Sequence, residues 1–332
     1  MRVFLLLCTL LGGFLGAGFA SGKEIAVYFG SYGESSYFAI IFASIFVFLF
    51  MLFFFWLSSC ISGFDGLVHK YFPKKQGLIK ILFSMCIFIL VSTMFAGIGC
   101  VGTELGEYGL ILFVISVVVV FVCNYVGIRG IGLLNSIIVP FIIIIIISVY
   151  GGETFDFEIG YSTMSVISGV NYAAINMLML GVFILEIGHR YSRREKLLAS
   201  ILFSLCVFML LLICNNTLLV SGAGAYSMPI LLLAKSKNNV LYFMSIVTIY
   251  LAIITSIISN IFVLDNYYKD VIGNKFLRLF FIIIFAIILS KMGFDVMVSY
   301  MYNFIGILGV FLIVCIIIKE QKFRRSSALK YR

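Results

Sequence analysis

Few residues in this chain could do chemistry, and they gather in three short stretches. The first is GGFLGAGFASGKE, in which Gly12, Gly13, Gly16, Gly18 and Gly22 fall within eleven residues and Lys23 and Glu24 follow directly. Glycine inside a helix costs about 1 kcal/mol relative to alanine, so five together weaken one badly. A helix that opens there frees carbonyls and amides able to hold a solute or an ion. The second stretch is SGVNYAAINMLMLG, carrying Ser168, Gly169, Asn171, Tyr172 and Asn176. Amides in apolar surroundings are expensive unless a partner satisfies them, either another helix or a polar solute. The third is AIITSIIS, with Ala252, Thr255, Ser256 and Ser259. A lone hydroxyl in such a helix commonly bonds back to a carbonyl one turn earlier. Adjacent hydroxyls also present the oxygens that a hard cation requires.

The elements that position these groups are membrane helices. The 332 residues are 63% apolar and 11% charged, against about 45–50% and 25% in a soluble domain. This composition excludes a water-soluble enzyme, a disordered protein and a nucleic-acid-binding domain. It makes the lipid bilayer the expected surroundings and a small-molecule solute the expected partner. A spanning helix needs about 20 mostly apolar residues. Ten segments meet or approach this: 3–30, 36–62, 78–100, 108–127, 130–149, 161–188, 197–219, 238–264, 277–291 and 296–318. The stretch 220–237 reads as a re-entrant or surface segment. With the N-terminus in the cytoplasm, all but Lys23, Lys235, Lys237 and Lys291 of the 23 basic residues are on the inside. The outer loops carry acids, among them Glu34, Glu104, Glu107, Glu153, Asp156, Glu158 and Asp295. This asymmetry predicts ten spans in one domain over 1–332, a multi-pass protein of the cell membrane with both ends cytoplasmic and a basic tail over 319–332. The eight cysteines are dispersed without a CxxC or Cys/His cluster, so no metal or redox site is expected.

Segment 3–30 is 28 positions long, more than a straight span needs, and its midpoint falls at residue 16 or 17. An extended break over 16–20 therefore sits near the bilayer midplane, where secondary transporters place their binding sites. Two explanations fit the glycines: that break, or a close-packed seam, since Gly12 with Gly16 and Gly18 with Gly22 have GxxxG spacing. A cleaved signal peptide ending near Ala20 is a third reading of the same run. On the break reading, Gly16, Ala17, Gly18, Phe19, Ala20 and Ser21 line a solute site, with Asn171 and Asn176 facing it. Lys23 and Glu24 lie outward of the midplane, where they form a gate or couple a proton. An intramembrane carboxylate can carry one, and Lys23 could meet Asp295 at the start of the last span.

The run GAGFASGKE resembles the GAGFASGxE signature near the N-terminus of the YkvI-type membrane proteins. Lys23 stands where such signatures usually carry glutamine. That group resembles a branch of the amino acid–polyamine–organocation superfamily, whose members share the LeuT fold. The resemblance implies an all-α membrane protein of two inverted five-helix repeats, here 3–149 and 161–318, with helices 1 and 6 discontinuous. It also implies a sodium site in which an Ala-x-x-Thr/Ser-Ser pattern on helix eight joins carbonyls of helix one. Ala252, Thr255 and Ser256 match that pattern, and the alignment places the carbonyls at Gly12 and Leu15.

Together these readings predict a cation-coupled symporter for a small polar organic solute, an amino acid or related zwitterion. Na+ or H+ is the coupling ion, and no other cofactor is expected. GxxxxGK[ST] is absent, which argues against ATP-driven transport by this chain alone. The alternatives are a solute-sensing permease homologue that signals without net transport and, with no polar catalytic cluster to support it, an intramembrane enzyme.

Overall fold

The first apolar run does not make one helix. In the computed structural model, which describes residues 2–61, 63–126, 131–154 and 160–330, it forms α1 (Arg2–Phe14), α2 (Ala17–Ser21) and α3 (Lys23–Tyr28). Of the charges counted above, Arg129, Asp156, Glu158 and Arg332 lie outside the described residues. The remaining helices are α4 (Ser35–Leu57), α5 (Gly63–Tyr71), α6 (Gln76–Glu104), α7 (Gly109–Val126) and α8 (Ile131–Tyr150). They continue as α9 (Thr163–Ile187), α10 (Arg193–Ser221), α11 (Pro229–Lys237), α12 (Asn239–Tyr268) and α13 (Lys275–Ser290). The last apolar run begins as α14 (Phe294–Val296), passes through a π turn over Met297–Met301 and continues as α15 (Tyr302–Lys330). Among the described residues the fold is all-helical.

Each of the ten apolar segments coincides with helix. Seven helices among the described residues are long and apolar enough to cross a membrane, while Arg2–Phe14 and Ser136–Tyr150 are shorter apolar helices. The α7 helix exposes Leu110, Ile111, Val114, Ile115, Val118 and Val122. Water does not tolerate so continuous an apolar face, and lipid does. This is a polytopic helical membrane protein.

One expectation changes. Span six is unbroken: α9 runs as one helix through Asn171 and Asn176. Its Asn176 amide donates to the Tyr172 carbonyl one turn back, 3.1 Å away, so one of the costly polar groups is satisfied without opening the ladder. Gly169 stands alone near the start of this helix, where the first segment has five glycines. The stretch 220–237, expected as a re-entrant or surface segment, includes α11, which starts on Pro229 and buries Ile230, Leu231 and Ala234. It packs against α2, α8 and α12. Proline at a first helical position loses no hydrogen bond, which is why the helix starts there.

Helix ends follow local chemistry. The Ser192 hydroxyl accepts the Glu195 amide at 3.3 Å, and the Glu195 carboxylate accepts the Ser192 amide at 2.8 Å, a capping box that starts α10. Asn238 and Asn274 cap α12 and α13 through their side-chain oxygens. Two packing groups result. Helices α6, α7, α12 and α13 pack mutually, whereas α9 and α10 pack on the broken first segment and α4 packs on both of them, with α15 against α9 and α8 against α1.

Candidate functional site

The break is set by backbone geometry. The Leu15 amide still donates to Leu11 at 2.7 Å, but the Gly16 amide turns to the Phe14 carbonyl at 2.9 Å. Gly16 is extended (φ −72°, ψ −173°), so the Gly12 carbonyl loses the amide that would meet it in a continuous helix. The ladder resumes where the Ala20 amide donates to Gly16 at 2.9 Å. Gly13 is exposed and Gly12 and Gly16 are half-buried, while Leu15 and Ala17 through Ser21 are buried.

A second interruption ends α2. Gly22 has φ +84°, a left-handed conformation that favours glycine. Ser21 braces this turn: its hydroxyl donates to the Gly18 carbonyl at 3.0 Å and accepts the Lys23 amide at 3.2 Å. A Cβ at Gly22 would strike the buried Tyr150 hydroxyl and lie 3.4 Å from Pro229 Cβ. Gly22→Ala is therefore expected to lower stability by more than about 1 kcal/mol, the left-handed cost alone being about 1–2 kcal/mol. Tyr150→Phe should lessen that loss, because the hydroxyl it removes has no hydrogen-bond partner. Melting temperatures of the three variants test this, and equal losses in both backgrounds would refute the contact.

Around the break is an aromatic shell. The Phe14 ring centre lies 5.8 Å from Phe19, 6.0 Å from Tyr172 and 5.4 Å from Phe203. Tyr172 continues the shell to Phe29 at 5.0 Å and Tyr28 at 5.7 Å. The Ser168 hydroxyl donates to the Tyr28 carbonyl at 2.8 Å, tying α9 to the end of the first segment. Asn171 is engaged elsewhere: its amide donates to Asn303 of α15 at 2.7 Å. Its side-chain oxygen, buried without a partner, lies where a Cβ on Gly306 would sit. Tyr172, which the sequence reading left out of the site, is the α9 side chain that spans the break. Its signal was an aromatic directly after Asn171 in an apolar run.

The sixth turn of α12 reaches the break through α6. Met94 of α6 lies 3.8 Å from the position of a Gly16 Cβ and receives the Asn260 amide on its sulfur at 3.8 Å. Asn260 also donates to the Ser256 carbonyl at 2.9 Å. The Thr255 hydroxyl donates to Leu251 at 2.9 Å and to Ala252 at 3.2 Å. That back-bonding uses the proton and leaves oxygen lone pairs to accept. Ala252 and Ser256 are buried and Thr255 half-buried, and α12 packs against both α1 and α2.

Lys23 and Glu24 part company. The Lys23 ammonium lies 2.8 Å from Asp295 and 3.2 Å from the Tyr226 carbonyl. Ser227 donates to the same aspartate. Glu24 instead folds back over α2: its carboxylate occupies the space a Cβ on Gly18 would need, and its Oε2 is buried without a partner. What Gly18 makes room for is thus an acidic side chain of its own segment. A groove of about 410 Å³ between α4 and α10, lined by Ile41, Ser44, Phe48 and Ile201 among others, shares no residue with this site. His69, on α5, and His189, in the turn after α9, are exposed.

The fold and site are those of a helical membrane protein with a broken first segment. No protein-family model matches the chain. It is similar over nearly its whole length to two proteins of Bacillus subtilis (strain 168). The one described as "Uncharacterized protein YyaD" is 24% identical over 329 residues, covering 93% of this chain and 94% of that one. The one described as "Uncharacterized membrane protein YkvI" is 22% identical over 332 residues, covering 95% of each.

Proposed function

We propose that this chain is a cation-coupled secondary carrier for a small polar organic solute, an amino acid or related zwitterion, built from two inverted five-helix repeats. The observation that carries this reading is the opened ladder at Leu15–Gly16, midway through an apolar segment. Irregular backbone at that depth is tolerated where protein or a watery cavity surrounds it, and it supplies ready partners for solute and ion.

The packing supports the repeats. Numbering the apolar segments one to ten, segment one packs on five as six packs on ten, and three on four as eight on nine. Likewise two packs on six as seven packs on one, and three on nine as eight on four. Contacts that recur with an offset of five are what a duplicated five-helix unit produces. The two packing groups then supply the moving parts: segments one, two, six and seven rocking against three, four, eight and nine. Lys23 and Asp295 form the outer gate in this scheme, with both chain ends in the cytoplasm of a cell membrane.

Solute specificity is tested with purified protein in liposomes, using thermal shift and uptake of radiolabelled amino acids. Accumulation driven by a cation gradient supports the carrier. Saturable binding with neither uptake nor counterflow would replace it with a solute sensor. A sodium seat formed by Gly12, Leu15, Ala252, Thr255 and Ser256 predicts that alanine at both Thr255 and Ser256 removes any sodium-dependent rise in melting temperature. An unchanged sodium response in that variant would eliminate the cluster as an ion seat.

A further inference from the structure

We propose that Glu24 is the proton-binding group of this protein: in the arrangement described it carries a proton on its carboxyl, and releasing it across the membrane couples the carrier to a proton gradient. The coupling clause rests on the carrier reading above; the proton-binding clause does not.

Geometry makes the case. Glu24 is 6% exposed, and among the described residues no cation pairs with it. The ammonium next to it in sequence, Lys23, is committed to Asp295 of α14. The titratable groups placed near Glu24 are three tyrosines, from its own segment, α9 and α15, and none of them supplies a positive charge. Tyr28, Tyr172 and Tyr302 are within electrostatic reach of the carboxylate. A buried carboxylate with a bare oxygen and no counter-charge is strongly destabilised even after its surroundings relax. Neutralisation is the cheaper state.

The dimensions of the seat select the neutralising partner. The carboxylate lies so close to Gly18 that no methyl group fits between them, and Oε2 is sealed from solvent. Sodium or an ammonium group would have to displace the side chain, whereas a proton needs no room. Glu24 follows directly on the residue that closes the Lys23–Asp295 contact. Parting that contact admits water to Glu24, and the hydrated carboxyl then gives its proton to water and becomes a carboxylate. The seat is separate from Thr255 and Ser256, so a sodium ion there and a proton here are compatible.

The test is infrared difference spectroscopy on lipid-reconstituted protein without solute, perfused between acid and alkaline buffer, in wild type, Glu24→Gln and Glu24→Asp. The expected result is a protonated-carboxyl band at neutral pH that shifts in D2O, disappears in Glu24→Gln and moves in Glu24→Asp. Should Glu24→Gln not fold, 13C-glutamate labelling assigns the band in the wild-type protein. A folded protein without a glutamate-derived band at neutral pH overturns proton binding. In liposomes, an acid-outside gradient should drive amino-acid accumulation at least tenfold more in wild type than in Glu24→Gln, and equal accumulation overturns the coupling role. No uptake under any gradient sinks the carrier reading and the coupling clause with it, while the band still decides proton binding independently.

Discussion

Gly18→Ala is expected to destabilise the protein by about 1–3 kcal/mol, the usual cost of forcing extra carbon into a filled interior. It should also abolish solute binding. The reason is specific: the new Cβ would lie 2.5 Å from Glu24 Cγ and 2.6 Å from Cδ, and closer still to the carboxylate. The acidic side chain must therefore leave its seat, and α3 must move with it. A double-mutant cycle separates this contact from a general intolerance of side chains in α2. In a Glu24→Ala background the Gly18→Ala penalty should largely vanish, a non-additivity of 1 kcal/mol or more, in the range typical of residues in contact. Melting temperatures give the cycle, and equal penalties with and without Glu24 would contradict it.

The largest loss of stability is expected from Asp265→Ala, about 3–5 kcal/mol. Asp265 of α12 accepts the Arg278 Nε at 2.6 Å, and both side chains are under 10% exposed. Arg278 also donates to the Ile272 carbonyl at 2.5 Å. Removing the aspartate leaves a guanidinium buried and half-partnered, the situation in which breaking an ion pair is most costly. Replacing both residues, Asp265→Leu with Arg278→Met, should recover most of the loss, because a well-packed apolar pair avoids desolvating two charges. Thermal unfolding of the purified variants measures both values. An Asp265→Ala protein within 0.5 kcal/mol of wild type would show that the pair is dispensable.

The comparison between these two sites shows what sequence can and cannot reveal. The break was legible because its cause is local: five glycines near the middle of an overlong apolar run weaken a helix whatever surrounds it. Arg278, by contrast, counts in the charge pattern as an ordinary basic residue near a membrane boundary. Its partner is thirteen positions away across the turn between two helices, and only the packing of α12 on α13 buries the pair. Helix α5 was missed because GFDGLVHKY carries charge and too few apolar residues for a span. It is held by the rest of the fold, with Lys70 and Tyr71 bonded to Glu320 of α15.

The same division runs through the candidate site. Composition, apolar run lengths and the glycine cluster already determined a helical membrane protein with a weak point at Gly16, since burial in lipid and backbone propensity act residue by residue. Which way each polar side chain turns was decided by tertiary structure. Asn171 engages Asn303 rather than the break and Glu24 folds inward over Gly18, while Lys23 takes the one partner already named from sequence, Asp295, 272 positions away. Adjacent residues on a helix point about 100° apart, so neighbours such as Lys23 and Glu24 face different helices. Their partners exist only once those helices have packed.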